Sequence, residues 1–269
     1  MKVVLFCGGL GTRLREHSDT IPKPLVNVGD RPILWHLMRY YAHYGHKDFI
    51  LALGYRGDLI REYFLNYNEA MTNDFTLSTG AGGEREIRMH RRDMDGWNIT
   101  FVNTGLHSNI GQRLLRVRHF VENEPAFLAN YADGLSDLPL DELIADFHKR
   151  DVTASFAAVR SSQSFHAVHT GQDGLVTHIG AMPEVDLLVN GGFFVLRPDI
   201  FSQMREGEEL VEQPFKRLIA SQRLAAFRWN GFWQCMDTFK DKIAFDRMEA
   251  RGQCPWMVWG NHPANAQKR

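Results

Sequence analysis

The chain has 269 residues, 44% of them hydrophobic, and a formal net charge of −1. That is enough apolar material for one large α/β domain spanning 1–269, and the balanced charge excludes the electrostatic footprint of a protein that grips duplex nucleic acid or an anionic membrane. The opening MKVVLFCGG is too short for a signal-peptide core and no later run reaches membrane-spanning length; Cys7, Cys235 and Cys254 form neither a zinc pattern nor a disulfide framework, so a cytoplasmic location is expected.

Val3 to Cys7 reads as a buried parallel strand running into a glycine-rich turn. From Pro32, the residues Ile33, Leu34, Leu37, Met38 and Tyr41 mark one face of a helix. Phe49 to Leu53 reads as a strand and Leu59 to Tyr67 as a helix; Ile99 to Val102, Phe127 to Tyr131 and Ala154 to Val159 are further strands, separated by helical patterns at about 111–122 and 139–150. This alternation predicts βαβ units and a mostly parallel sheet. The glycine-rich and then polar stretch at about 68–97 interrupts it and reads as an inserted loop or hairpin, whose His90-Arg91-Arg92 run fits a solvated charged face. After Val159 come shorter strands at Val168 to Thr170, Leu175 to Ile179 and Val189 to Leu196, which predict a small antiparallel lobe at about 160–196 over the C-terminal edge of the sheet. Helical spacing returns at about 238–251 and stops at Gly252.

The sharpest local signal is Gly8-Gly9-Leu10-Gly11-Thr12-Arg13-Leu14, directly after the first strand. Glycines let the backbone approach a ligand closely, and successive N–H groups in such a turn cradle phosphate oxygens. Arg13 adds a planar charged fork, and Lys23 stands between Pro22 and Pro24 on chain those prolines stiffen. The dinucleotide fingerprint fails because Leu14 stands where its third glycine belongs, and the Walker pattern is absent. A ligand carrying several phosphates fits two cations beside a glycine loop. Asp133, just after the strand Phe127 to Tyr131, and Asp237, in Met-Asp-Thr, are acidic residues of the kind that hold Mg²⁺ together with substrate phosphates; a turn and a helix start are their plain structural readings.

In order along nearly the whole chain, GGLGTRL, IPKPLVNVGDRPILWHLM, the segment around YADG, NGGFFVL and FWQCMDT resemble the sugar-phosphate nucleotidyltransferases, in particular their glucose-1-phosphate cytidylyltransferase branch. The resemblance implies a Rossmann-like α/β core with a mixed, mostly parallel sheet. It implies Mg²⁺ held by Asp133 and Asp237, with CTP as nucleotide and a phosphorylated small molecule as acceptor. An acceptor phosphate oxygen would attack the α-phosphorus and pyrophosphate would leave, with Arg13 neutralising the leaving group and Lys23 contacting the α-phosphate; positioning and charge carry such catalysis. Cys7, Gly8, Gly9, Gly11, Thr12 and Arg113 match nucleotide-binding positions, although Arg113 also reads as a surface residue at a helix start. Tyr131, Asn190, Gly191 and Trp233 match positions near the acceptor. Relatives of this kind often assemble, which implies a homo-oligomer.

The acceptor side departs from the family pattern. Met182 stands where a phosphate-gripping lysine is usual, Phe165-His166 stands where Phe-Gly is usual, and the segment before Arg113 reads Ser108-Asn109-Ile110-Gly111-Gln112 where the family typically has a Thr-Gly-Gly. These changes point toward an acceptor other than glucose 1-phosphate, with His166, His169 or Arg160 supplying replacement charge. The rival readings are a non-catalytic nucleotide-binding relative and a transferase using another NTP.

Overall fold

The Val-Val-Leu-Phe-Cys run forms strand β1 (Val3–Cys7), wholly buried, in a computed structural model that describes residues 1–9, 21–80, 82–160, 166–181 and 187–260. Among the expected site residues, Gly11, Thr12, Arg13 and Met182 lie outside the described residues, as does the side chain of His166.

Helix α1 (Ile33–His43) follows Pro32 and stops before Gly45, whose φ of +82° is open to glycine without a side-chain clash. Strand β2 (Asp48–Leu53), helix α2 (Gly57–Leu65) and strand β3 (Asn98–Asn103) come next. Helix α3 (Ile110–Arg116) opens on a capping box in which Asn109 accepts from the Gln112 N–H and Gln112 accepts from the Asn109 N–H. The single helix expected at 111–122 is two short ones, because Val117, with φ −98° and ψ 3°, ends α3 before α4 (Arg118–Val121) begins. Strand β4 (Phe127–Tyr131), helix α5 (Leu140–Arg150), strand β5 (Ala154–Arg160), strands β6 (Leu188–Asn190) and β7 (Phe194–Leu196), helix α6 (Gln213–Ala220), strand β8 (Leu224–Trp229) and helix α7 (Phe239–Ala250) complete the core.

Across the main sheet the order is β3, β2, β1, β4, then β6 with β7, then β5 and β8. All neighbours pair in parallel except β6 and β7, which run antiparallel to β5, and β7 also to β4. Residues 188–196 therefore belong to the main sheet and not to a lobe apart, because Phe194–Leu196 register on Phe127–Ala129. Side chains of β1 alternate between two cores. Val3, Leu5 and Cys7 join α1, Phe147, Phe245 and Trp256 on one face, while Val4 and Phe6 join Leu114, Val117, Phe201 and Phe215 on the other. Trp256 is fully buried in this chain, edge-on to Phe245 and tilted against Phe232.

Among the described residues, two longer hairpins stand off this frame. In the first, Phe75–Thr79 pairs with Arg85–Met89, and its base is tied down by Arg31, which donates to Asp93 Oδ2 (2.6 Å) and the Thr72 carbonyl (2.9 Å) while Tyr67 donates to the same carboxylate. In the second, His166–Thr170 pairs with Val176–Ala181.

Candidate active site

After β1 the chain builds outward through β2 and β3, then returns to lay β4 on the other side of β1. Strand order reverses there, and the carboxyl ends of β1 and β4 open a crevice where ligands of α/β sheets bind. A cleft of about 130 Å³ sits at that point, lined by Phe6, Gly9, Lys23, Pro24, Ile110, Tyr131, Ala132 and Asp133. Larger hollows of about 430 and 470 Å³ flank Tyr67, but neither is lined by Lys23 or Asp133.

Pro22 (φ −68°, ψ 146°) and Pro24 confine the backbone around Lys23, which starts a 3₁₀ turn at Lys23–Leu25. Its Nζ donates to Asp133 Oδ2 (2.5 Å) and Asp237 Oδ1 (2.6 Å), partners 110 and 214 residues away. The fold brings the two carboxylates together through one small antiparallel strand pair: Gly134–Ser136 pairs with Trp233–Cys235, and the Met236 N–H donates to the Asp133 carbonyl (2.8 Å). Asp237 immediately precedes α7. The N-cap Thr238 and Asp241 form a capping box, and Asp241 also accepts from the Asp237 N–H (3.1 Å). Burial pulls the Lys23 ammonium down, but the Asp133 and Asp237 carboxylates outweigh it, so its pKa lies above the usual lysine value. Cys235 donates its thiol to Asp237 Oδ2 (3.6 Å), and burial first, then the neighbouring carboxylates, push that thiol up to about 12.

Among the described residues no group of three or more His, Cys, Asp or Glu converges. Among the described residues the two carboxylates share one cation, the Lys23 ammonium. A pair of hard carboxylate oxygen donors fits Mg²⁺, which takes one or two carboxylates and completes its shell with water and phosphate.

Arg113 is 2% exposed, and its guanidinium turns inward. NH1 donates to the Leu53 carbonyl (3.2 Å), Thr104 Oγ1 (2.7 Å) and the Gly105 carbonyl (2.9 Å), while NH2 donates to the Gly8 carbonyl (2.8 Å). The surface position that was the other reading of Arg113 is therefore corrected: the helix start packs against β1 and β2. A Cβ on Gly8 would lie 2.1 Å from Arg113 Cζ, and one on Gly54 would lie 2.7 Å from NH1. Both glycines are there for close approach. Cys7 is buried below this contact, and desolvation holds its thiol far above the ordinary range.

On the other wall, Asn190 Nδ2 donates to the Tyr131 hydroxyl (3.2 Å), and Trp233 Nε1 donates to the Gly191 carbonyl (2.8 Å). Gly191 is close-packed too, since a Cβ there would meet Val159 Cγ2 at 2.9 Å. The geometry thus gathers Tyr131, Asn190, Gly191 and Trp233. The backbone of His166 sits in the second hairpin, opposite Ala181, and that hairpin pairs with no other described strand. Asp137 supports the same wall, accepting from Trp229 Nε1 (2.9 Å) and the Phe232 N–H (2.8 Å). Sequence reasoning passed over Gly54, Thr104, Asn130 and Cys235. Only Asn130 carried a signal, as an amide inside an apolar buried strand.

The sequence pattern of the nucleotidyl transferase family matches residues 2–241. A glucose-1-phosphate cytidylyltransferase of Salmonella typhi is 40% identical over 262 residues, covering 96% of this chain and 100% of the relative. A probable glucose-1-phosphate cytidylyltransferase of Bacillus subtilis is 38% identical over 261 residues, again covering 96% and 100%. Among solved structures, a UDP-glucose pyrophosphorylase complexed with UDP-glucose superposes with a TM-score of 0.68 at 15% identity, covering 93% of this chain and 98% of the other. HddC of Yersinia pseudotuberculosis complexed with GMP-PN gives 0.63 at 19% identity, covering 92% and 99%. These two likenesses bear on the fold.

Proposed function

Because the chain belongs to the nucleotidyl transferase family, we propose that it transfers CMP from CTP to a sugar 1-phosphate and releases pyrophosphate. The observation that carries this reading is Lys23 Nζ held between Asp133 and Asp237 at the mouth of the β1–β4 cleft. An oxygen of the acceptor phosphate forms the new bond to the α-phosphorus, and the bond to the pyrophosphate oxygen breaks. The attacking oxygen is already anionic at neutral pH, so no general base is required, and the residues serve to position and to neutralise charge.

Lys23, charged throughout the neutral range, offers its ammonium to the α-phosphate. Gly8 and Gly9 present the turn that receives the nucleotide, and Arg113 holds that turn by its bond to the Gly8 carbonyl. Arg13, Gly11 and Thr12 extend the phosphate loop by family pattern. Asp133 and Asp237 would hold Mg²⁺, which when bound neutralises phosphate charge. Tyr131, Asn190, Gly191 and Trp233 offer the acceptor hydroxyl, amide and indole surface at the opposite wall. Three unpaired thiols suit a reducing cytoplasm.

Glucose 1-phosphate is the first acceptor to try, because the curated relatives at 38% and 40% identity carry that name. A second reading, another phosphorylated acceptor, is favoured by Met182 standing where the family carries a lysine. The test follows pyrophosphate release with Mg²⁺, each of the four NTPs, and a panel of hexose 1-phosphates, phosphorylated amino acids and amides, and phosphonates. Release with CTP and glucose 1-phosphate is the expected result. Release with CTP and another acceptor selects the second reading. Release with a different NTP overturns the base assignment, and nucleotide binding without release from any pair overturns the transferase reading.

A further inference from the structure

Strand β4 is Phe127-Leu128-Ala129-Asn130-Tyr131, and Asn130 is the one amide in it, 2% exposed. A buried amide is costly unless its polar atoms are met, and here the oxygen is met while Nδ2 has no hydrogen-bond partner among the described residues. Asn130 Oδ1 accepts from the Tyr131 N–H (2.9 Å) and the Phe193 N–H (3.0 Å). Two backbone donors converging on one atom identify it as the oxygen.

Those donors belong to the two walls of the cleft. Tyr131 stands just before Asp133, and Phe193 closes the turn between β6 and β7. The turn is forced against the amide. Gly192 has φ +77°, a Cβ there would lie 2.2 Å from Asn130 Oδ1, and Phe193 follows at φ +51°, a region a side-chain-bearing residue enters only when its surroundings hold it. The bond to Asn130 and the burial of the Phe193 ring against Tyr40 and Tyr41 hold it. The same turn orients Asn190, whose Oδ1 accepts from the Gly192 N–H (2.9 Å), and Gly191, whose carbonyl receives Trp233.

We infer that Asn130 is the positioning residue that sets the acceptor-side turn Asn190–Phe193 against the strand carrying Asp133, so that acceptor affinity depends on a side chain the acceptor never touches. The inference deepens the transferase reading and rests on it.

Asn130→Leu keeps the branched shape and removes the acceptor atom; Asn130→Asp keeps an oxygen aimed at both donors; Gly192→Ala strikes the same contact from the turn. In steady-state assays, Asn130→Leu and Gly192→Ala are expected to raise KM for the acceptor by about tenfold, with KM for CTP within about twofold and Asn130→Asp restoring most of the difference. Backbone hydrogen exchange on the folded proteins is expected to quicken by about tenfold at 190–193 in Asn130→Leu, with β1 and β2 unchanged. Equal rises in both KM values, no rise in either, or exchange quickened across the whole sheet would overturn the inference. If the wild-type protein turns over no substrate pair, the transferase reading fails by itself. The exchange pattern then decides the coupling, local quickening supporting it and its absence refuting it.

Discussion

At the ends of β1 and β4, polar groups find their partners within the chain: Lys23 lies between two carboxylates, and Arg113 binds the Gly8, Leu53 and Gly105 carbonyls. The hairpin of His166–Thr170 and Val176–Ala181 pairs with no other described strand and leaves Val168, Leu175, Val176 and Ile179 exposed. The Lys23 wall is therefore shaped in advance by ion pairs and close backbone contacts, as the proposed transfer of a nucleotidyl group from CTP to an acceptor requires. The hairpin's side chains can change with little cost to the core. In the sequence, the departures from the family pattern at Phe165-His166 and Met182 stand at the two ends of that hairpin's segment.

The contrast breaks first, and by the largest margin, at Lys23. Lys23→Ala removes a preorganised charge and is expected to lower kcat by about 10²–10³-fold, on the order of 3–4 kcal/mol, with the protein still folded by circular dichroism. A kcat near that of wild type would remove Lys23 from the chemistry.

Acid probes the rigid half next. His36 is buried on α1, with Nε2 bonded to the Val28 carbonyl and Nδ1 facing Trp256 Nε1, and burial lowers its pKa to about 4. The unfolded chain protonates this imidazole near its ordinary value while the folded chain does not. Its contribution is thus complete above the unfolded pKa and is lost as pH falls toward the folded one, by about 3 kcal/mol at full extent. Urea denaturation at neutral and acidic pH should show that loss in wild type and a much smaller one in His36→Gln. Parallel pH dependences in the two proteins would refute it.

The glycine turn offers a finer comparison. A Cβ on Gly8 meets Arg113 at 2.1 Å, whereas one on Gly9 meets nothing within 4 Å among the described residues. Gly8→Ala should cost about 1–3 kcal/mol and raise KM for the nucleotide, while Gly9→Ala leaves stability within about 0.5 kcal/mol of wild type. Thermal melts of both variants check this, and equal costs would mean that Arg113 does not hold the loop. The smallest effect belongs to the second hairpin. Val168 and Ile179 face each other across it and are exposed, so replacing both by Thr should move global stability by less than about 0.5 kcal/mol. A larger loss would show the hairpin packed on the core.

The central strands were legible because continuous apolar runs such as Val3–Cys7 and Phe127–Tyr131 have no other comfortable place than a covered parallel sheet. Helix α6 and strand β8 escaped the sequence reading. The Leu224–Trp229 strand lies at the sheet edge, half-exposed and carrying Arg228, so no clear period marks it. Lys23, Asp133 and Asp237 were each legible by motif. Their meeting was not, since it depends on pairing Gly134–Ser136 with Trp233–Cys235 across a long sequence separation. The inward turn of Arg113 was likewise invisible, because a sequence gives no sign that a guanidinium will prefer the carbonyl and hydroxyl oxygens of Leu53, Thr104, Gly105 and Gly8 to solvent.

The most direct test of the central claim measures pyrophosphate release from CTP and glucose 1-phosphate, with Mg²⁺, by the wild-type protein beside Asp133→Asn and Asp237→Asn. The Lys23–Asp133–Asp237 centre predicts turnover by wild type and a loss of about 10³-fold or more in each variant, with the fold intact. Undiminished release by either variant would contradict it.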